Sequence, residues 1–199
     1  IAYDQSGGQL GMTPVAYQRG GQGTAVTYTI TPCPLGYLLV AATPKGICAV
    51  RLGDSEAELT TTLVNEFSSA IVLRSDETLL PWVSTLQDYL HGGNPHIALP
   101  LDIQATAFQH RVWTALQQIP YGSTWSYSQV AAAIGQPTAA RAVARACATN
   151  PAALVIPCHR VVREDGSLSG YRWGIERKEA LLAQEAGSAG RVDASALNV

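Results

Sequence analysis

The spacing of apolar residues changes along the chain and predicts the order of its elements. Alternating or continuous apolar runs predict strands at 26–30, 37–43, 47–52 and 70–74. A Pro-Lys-Gly turn joins the second and third of these strands into a hairpin. Helical spacing appears at positions 59, 63 and 67 behind a cap at Asp54 or Ser55, and again between 82 and 90. The first half is therefore predicted to be a small sheet with helices.

Helix signals dominate the second half. Capping boxes that begin at Thr106 and Ser126 each precede an apolar helical pattern. A short helix at 128–134 and an alanine-rich helix at 138–150 lie on either side of a tight turn, which is typical of a helix-turn-helix. The position that is usually buried in that motif holds Arg141, so the sequence predicts a variant of it.

These patterns predict an α/β (α+β) fold in two parts. We expect residues 24–98 to form an α/β scaffold domain and residues 99–187 to form a mostly helical domain that carries the helix-turn-helix. Residues 1–23 are glycine-rich and follow no initiating methionine, so they are predicted to be a linker or the tail of a missing upstream part. Residues 188–199 are predicted to be a disordered tail.

Composition narrows the class of protein. The chain has 199 residues, 47% of them hydrophobic, and can bury a core, but its apolar runs fall short of the roughly 18 residues that span a bilayer. The first residues do not resemble a signal peptide, so we expect a cytoplasmic protein. The four cysteines form no CxxC pair and the four histidines are not spaced beside them, which argues against a metal site and a disulfide framework.

Charge is unevenly distributed, although the net charge is only −2. Residues 103–163 hold five arginines and no acidic residue, whereas residues 1–102 hold four basic and nine acidic residues. A segment without carboxylates is expected where phosphates are approached. Within it, Arg141 and Arg145 share one face of a slim helix, which favours contact with a DNA backbone or minor groove without sequence recognition. Chance composition, or a packed helix with a solvated arginine face, would explain the same pattern.

The segment VIPCHRVVRED holds the strongest candidate chemistry. Pro157 predicts that the strand-like run at 153–156 ends or turns there, so that Cys158 and His159 can face one cavity. A free cysteine ionises poorly at neutral pH, and an adjacent histidine oriented by a carboxylate would raise the thiolate fraction.

Glu185 is the candidate carboxylate. It lies on the edge of the apolar stripe of the last predicted helix, whereas Glu176 and Glu179 lie nearer the wet face. A solvated helix end is the alternative for Glu185. Arg160 and Arg163 either add positive potential beside the cysteine or tie this segment to the scaffold half.

Five motifs occur in order along the chain: SY at 126–127, AARAV at 139–143, Asn150, IPCHRVV at 156–162 and SGYRWG at 169–174. Together they resemble the O6-alkylguanine-DNA alkyltransferases, in particular the C-terminal part of bacterial Ada proteins, over residues 24 to 187. The resemblance implies a ribonuclease H-like first domain and a winged helix-turn-helix in the second. The segment LGMTPVAYQRGG resembles the end of an AraC-type regulatory module.

The resemblance also implies a reaction. Cys158 would accept the alkyl group from O6 of a guanine flipped out of double-stranded DNA, in one displacement without turnover, and O4-methylthymine would react less well. His159 would deprotonate the thiol through a water while Glu185 holds the imidazole. The Tyr127 hydroxyl would protonate the departing guanine at N3. Neither cofactor nor metal is implied.

Further contacts follow from the same resemblance. The backbone carbonyls of Cys158 and Val161 would accept from the guanine amino group, and the backbone N–H of Arg172 would donate to O6. Asn150 would tie the helix-turn-helix to the active-site turn. Arg141 would enter the base stack in place of the flipped nucleotide while its helix, with Arg145, lies in the minor groove. No membrane and no obligate protein partner are expected.

The alkyl pocket is predicted to be small. Ala153 stands where the roomier animal members carry a pocket proline, Trp173 brings a bulky ring near the alkyl group, and Tyr171 lies in the same motif as a further substrate contact. We expect methyl to be accepted readily and the free base O6-benzylguanine poorly. Two other functions remain: a DNA-binding alkylation sensor or transcription regulator without a significant repair role, and a Cys-His hydrolase, which the absence of an evident oxyanion loop disfavours.

Overall fold

The computed structural model describes residues 20, 21 and 23–196, with side chains up to residue 188. The first half contains β1 (Ala25–Cys33), β2 (Gly36–Thr43), β3 (Gly46–Gly53), α1 (Glu56–Glu66), β4 (Ile71–Arg74) and α2 (Asp76–Leu90). The second half contains α3 (Ala107–Leu116), β5 (Trp125–Ser126), α4 (Tyr127–Ala133), α5 (Ala140–Ala148), a 3₁₀ turn (Cys158–Arg160), β6 (Val161–Val162) and α6 (Ile175–Ala196). Among the described helices, none is long and apolar enough to cross a membrane.

The four strands of the first half form one sheet in the order β3-β2-β1-β4, antiparallel except that β4 runs parallel to β1. Successive residues on β2 point to opposite faces. One face packs on α1 around Leu63 and Phe67. The other face joins the larger core that includes Leu86 of α2 and most of the buried second half. The predicted strands and hairpin are confirmed, and Ser55 rather than Asp54 caps α1.

The free edge of β3 is covered by two segments of the second half. Val50 donates its N–H to the carbonyl of Pro151 at 3.0 Å and accepts from the N–H of Ala153 at 2.9 Å. Ile47 makes the same pair of bonds with the connecting segment at 100–102. The segment that leads to the cysteine is therefore hydrogen-bonded to the scaffold sheet.

The run at 153–156 is buried, but the prediction that it is strand-like is wrong. The pairing with β3 ends at residue 153, and the chain then turns at Leu154, whose φ of 68° lies in the left-handed region. The N–H of Val155 closes this turn at 2.7 Å, and the N–H of Cys158 closes a second three-residue turn around Pro157 at 2.8 Å. The predicted turn at Pro157 is confirmed, and the cysteine and histidine lie in a 3₁₀ turn.

The helical half forms as the capping signals predict. Thr106 and Ser126 both make complete capping boxes, at the starts of α3 and α4. Helix α5 packs against both α3 and α4, and Arg141 is exposed on it, as expected for the variant motif. The strand β5 pairs in parallel with β6, which places the start of α4 beside the residues that follow the cysteine. Helix α6 runs to Ala196, so residues 188–196, predicted to be a disordered tail, are helical.

Candidate active site

Cys158 is held in the 3₁₀ turn with only 4% of its surface exposed. Its Sγ accepts a hydrogen bond from Nδ2 of Asn150 at 3.1 Å. The same amide nitrogen donates to the carbonyl of Ile156 at 2.8 Å, and Oδ1 of Asn150 accepts from the N–H of Ala152. Because Asn150 lies two residues after the end of α5, its side chain joins that end of the helix to the turn that carries the thiol.

Burial keeps the thiol of Cys158 protonated at neutral pH. Removal from water raises the pKa of Cys158 to about 11. The hydrogen bond from Asn150 and the charges of Lys178 and Arg172 act in the opposite direction without outweighing burial. Any reaction in which this sulfur is the nucleophile would therefore need a base.

His159 is the candidate base. Its Nε2 lies 2.7 Å from Oε1 of Glu185, and both side chains are fully buried. The other ring nitrogen, Nδ1, is buried and has no protein partner. Burial lowers the pKa of His159, although Glu185 acts to raise it. We infer a neutral ring that donates from Nε2 and keeps a free lone pair on Nδ1.

Glu185 is held by donors from several segments. Nε of Arg160 donates to Oε1 and Oε2 at 3.1 and 2.9 Å, and the N–H of Gly122 donates to Oε2 at 3.0 Å. Gly122 has a φ of 75°, a left-handed backbone conformation that favours glycine. Burial alone would raise the pKa of Glu185, but hydrogen bonds from His159, Arg160 and Tyr89 lower it to about 2.

Arg160 links the 3₁₀ turn to α6 and to the segment that follows α3. Its Nη1 also donates to the carbonyl of Ile119 at 2.8 Å, and its guanidinium lies 5.6 Å from the centroid of the Tyr121 ring. With only 7% of its surface exposed, it compensates the charge of Glu185 inside the protein. Arg163, by contrast, is exposed.

The scaffold half contributes Tyr89 to this cluster. Its hydroxyl donates to Oε1 of Glu185 and lies 3.1 Å from Nε2 of His159. All the site residues predicted from the sequence lie in the second half, so Tyr89 adds a contact from the first half to them. Tyr89 sits on the apolar stripe of α2 beside Leu86 and Leu90, so its spacing is that of an ordinary core tyrosine.

Lys178 is a second residue that the sequence did not single out. It is fully buried on α6, and its Nζ donates to the carbonyls of Val161 and, at 3.4 Å, Ser169. Burial lowers the pKa of Lys178, whereas the neighbouring cysteines Cys158 and Cys147 act to raise it. Its spacing of three and seven residues from Leu181 and Glu185, on one helix face, was the available signal.

The remaining predicted substrate residues come from three segments of the second half. The hydroxyl of Tyr127, at the start of α4, lies 2.7 Å from Oγ of Ser169, and burial raises the pKa of this phenol. The buried hydroxyl of Tyr171 has no protein partner, and its ring lies 5.1 Å from the ring of Trp173. Ala153 is fully buried where the chain leaves β3.

The predicted DNA contacts lie on a separate surface. Arg141 and Arg145 are exposed on α5, and neither is hydrogen-bonded to the buried cluster. Arg172 is exposed as well, and its Nη1 donates to the carbonyl of Asn150 at 3.1 Å, where α5 ends. The structure thus brings His159 and Glu185 together next to Cys158 and leaves Arg141, Arg145 and Arg172 exposed.

Comparison with known proteins agrees with this arrangement. A family model described as "6-O-methylguanine DNA methyltransferase, ribonuclease-like domain" matches residues 26–103, and one described as the DNA binding domain of the same protein matches residues 107–187. The "Bifunctional transcriptional activator/DNA repair enzyme Ada" of Escherichia coli is 48% identical over 184 residues, which are 92% of this chain and 52% of Ada. The chain thus spans about half the length of the Ada relatives from Escherichia coli and Salmonella typhimurium.

Shorter relatives are covered almost completely. The inducible methylated-DNA--protein-cysteine methyltransferase of Bacillus subtilis is 37% identical over 155 residues, which are 77% of this chain and 87% of that protein. The crystal structure of the O6-methylguanine methyltransferase of Mycobacterium tuberculosis matches with a TM-score of 0.70 and 36% identity, over 82% of this chain and 94% of the other. The chain therefore belongs to the 6-O-methylguanine DNA methyltransferases, which are also named methylated-DNA--protein-cysteine methyltransferases.

Proposed function

We propose that the chain repairs DNA directly by moving one methyl or other small alkyl group from O6 of guanine to Sγ of Cys158. The observation that carries the proposal is a buried thiol next to a buried histidine whose Nε2 is held by Glu185 and whose Nδ1 is left without a protein partner. That arrangement offers one lone pair to one thiol proton. A thioether is a stable product, so each molecule is expected to act once.

The proton moves before the alkyl group does. His159 takes the thiol proton at Nδ1, through a water, and Glu185 stabilises the imidazolium that forms. Sγ then attacks the alkyl carbon in line with the bond to O6. The S–C bond forms as the C–O6 bond breaks, and both electrons of the broken bond stay on the guanine. The thioether that results is a stable product.

The leaving guanine needs a proton donor and a fixed orientation. The Tyr127 hydroxyl is the proposed donor to N3, which is consistent with a phenol that burial keeps protonated. The carbonyls of Cys158 and Val161 are the proposed acceptors for the guanine amino group, and the N–H of Arg172 the proposed donor to O6. The Val161 carbonyl also accepts from Lys178, and a carbonyl oxygen can accept two hydrogen bonds.

DNA is proposed to bind along α5 through the minor groove, with Arg141 filling the gap that the flipped nucleotide leaves. The support is an exposed arginine pair on a slim alanine-rich helix at the end of which Asn150 contacts the thiol. A second similar crystal structure, of Mycobacterium tuberculosis OGT "in complex with DNA", matches with 35% identity and a TM-score of 0.70. We expect double-stranded DNA to be the partner, without an obligate protein partner, in the bacterial cytoplasm.

Substrate size is the finer part of the proposal. Trp173 is buried against Tyr171 and beneath Arg172, whose guanidinium carbon lies 5.9 Å from the centroid of its ring. These packed rings favour methyl over bulky groups, and O4-methylthymine is expected to react less well than O6-methylguanine. Rapid inactivation of the protein by low micromolar O6-benzylguanine would contradict the small pocket.

Intact mass spectrometry tests the reaction. After incubation with a duplex that contains O6-methylguanine, we expect the wild-type chain to gain one methyl group on Cys158, whereas Cys158→Ala gains none. Cys147→Ala is the matched control, because Cys147 is also buried and free but lies on α5 without His159. An unmodified wild-type mass after complete mixing would overturn the proposal.

A regulatory function is the second candidate. It is favoured by the 48% identity to Ada, whose name combines a transcriptional activator with a DNA repair enzyme. In that case methylated and unmethylated protein should differ in affinity for a promoter fragment. Equal affinities, with stoichiometric methyl transfer, would leave repair as the function of this chain.

A further inference from the structure

We propose that Tyr89 is a positioning residue through which the scaffold half fixes the Glu185–His159 pair for proton transfer. The proposal rests on the methyl-transfer function argued above. It extends that function to a residue of the first domain, which otherwise contributes backbone contacts and core packing to the site.

Tyr89 is placed firmly enough to do this. It lies near the end of α2 with 1% of its surface exposed, and its ring meets the Tyr121 ring edge-on at 5.9 Å and the His159 ring at 6.5 Å. Burial and the neighbouring Glu185 both raise the pKa of Tyr89 well above 10. Its hydroxyl therefore stays protonated and donates a hydrogen bond to Oε1 of Glu185.

The position of this hydroxyl matters because Oε1 is the oxygen that holds the histidine. Among the described residues, the other donors to Glu185 are Gly122, His159 and Arg160, all from the second half. Tyr89 therefore supplies the one side-chain link between α2 and the carboxylate. The Tyr89 hydroxyl oxygen also lies 3.1 Å from Nε2 of His159, so it limits how far the imidazole can turn away from its hydrogen bond with Glu185.

Loss of the hydroxyl should change the base in a defined direction. Several charged and titratable groups act on His159. They are Glu185 and Lys178 from α6, Arg160 from its own turn, Tyr89 from α2, and Tyr171 from the loop before α6. Without the donor from Tyr89, the carboxylate has more capacity to stabilise the imidazolium. The pKa of His159 should rise, and the acid limb of the rate profile should move to higher pH.

Tyr89→Phe is the test variant, because it keeps the ring and removes only the hydroxyl. We expect methyl transfer at neutral pH, measured by intact mass under single-turnover conditions, to slow roughly tenfold, as for loss of one hydrogen bond to a charged group. Affinity for the duplex should not change. Tyr121→Phe is the matched control, since its ring touches both Tyr89 and Arg160 while its hydroxyl makes no hydrogen bond to Glu185 or His159.

An NMR titration of the His159 ring separates this proposal from the proposed function. It should show a higher pKa in Tyr89→Phe than in the wild type and the Tyr121→Phe control, whether or not the protein reacts. An unchanged His159 titration, or a transfer rate and pH profile equal to those of Tyr121→Phe, would overturn the role of Tyr89. A wild-type chain that gains no methyl group would instead overturn the function and leave the titration result standing.

Discussion

The buried cluster around Glu185 and the exposed face of α5 treat charge in opposite ways. In the cluster, a carboxylate and a guanidinium compensate each other inside the protein, with additional donors from Tyr89 and Gly122. On α5, Arg141 and Arg145 are exposed, and within the described part of the chain neither forms an ion pair. The buried charges are thus satisfied within the protein, whereas the exposed arginines stay available for the DNA that we propose they bind.

Removing the carboxylate should have the largest effect. Glu185→Gln leaves Arg160 buried without a counter-charge, so we expect a loss of about 3–5 kcal/mol in the free energy of unfolding. Methyl transfer should fall by at least roughly a hundredfold, because the imidazolium loses its partner. Urea unfolding and single-turnover transfer measure the two effects. Glu179→Gln, on the exposed face of the same helix, is the control, and equal behaviour of the two variants would show that the cluster is not internally compensated.

The exposed face should respond in binding and not in stability. We expect Arg141→Ala to reduce transfer from duplex DNA about tenfold, since the flipped base loses the side chain that replaces it, and to leave the urea midpoint unchanged. Reaction with the free base O6-methylguanine should be unaffected. Arg145→Ala is the companion variant. We expect it to bind the duplex more weakly, and the salt dependence of its affinity to be smaller by about one phosphate contact. Equal losses on the free base and the duplex would contradict this separation.

Lys178 tests a case between the two regions, because its charge is buried with carbonyls instead of a carboxylate. Lys178→Met keeps the length of the side chain and removes the charge. We expect transfer to slow roughly tenfold, since a charge that favours the thiolate is lost, while the unfolding free energy changes by less than about 1 kcal/mol. Alkylation of Cys158 by iodoacetamide as a function of pH provides the second measurement. A thiol that titrates as in the wild type would argue that Lys178 only packs.

The smallest effect should appear in the pH dependence of stability. Because burial lowers the pKa of His159, the unfolded chain binds this proton more readily than the folded one, and the free energy of unfolding should decline as pH falls below about 6.5. His159→Gln should flatten part of that decline, whereas His110→Gln, at an exposed position of α3, should retain it. If the unfolding free energies of both variants decline in parallel as the pH falls, a group other than His159 takes up the proton.

The sequence predicted most of the framework, because local signals determine it. Thr106 and Ser126 were predicted as caps and are caps, and the turn at Pro157 follows from a residue without an N–H. The motif around Cys158 and the position of Glu185 on its helix were sufficient to propose the cysteine, the base and the carboxylate.

What the sequence did not predict depends on contacts between distant segments. Tyr89 is separated from Glu185 by most of the second half, and nothing in its local spacing distinguishes it from a core residue. Lys178 and Arg160 resemble solvated charges until the fold buries them. The run at 153–156 has strand composition, but the edge of β3 offers it only one bridge before Leu154 turns the chain away.

The pairing of Val50 with the segment at 151–153 also has a consequence for the order of folding. During synthesis from the N-terminus, β1 to β4 can form early, since their partners are close in sequence. Ile47 on the edge of β3 can pair once residues 100–102 emerge, but Val50 stays unpaired until residues about a hundred positions later emerge, and Glu185 follows later still. We therefore expect a nascent chain to carry Cys158 before Glu185 can orient His159, and the proposed methyl transfer to require nearly all of the domain.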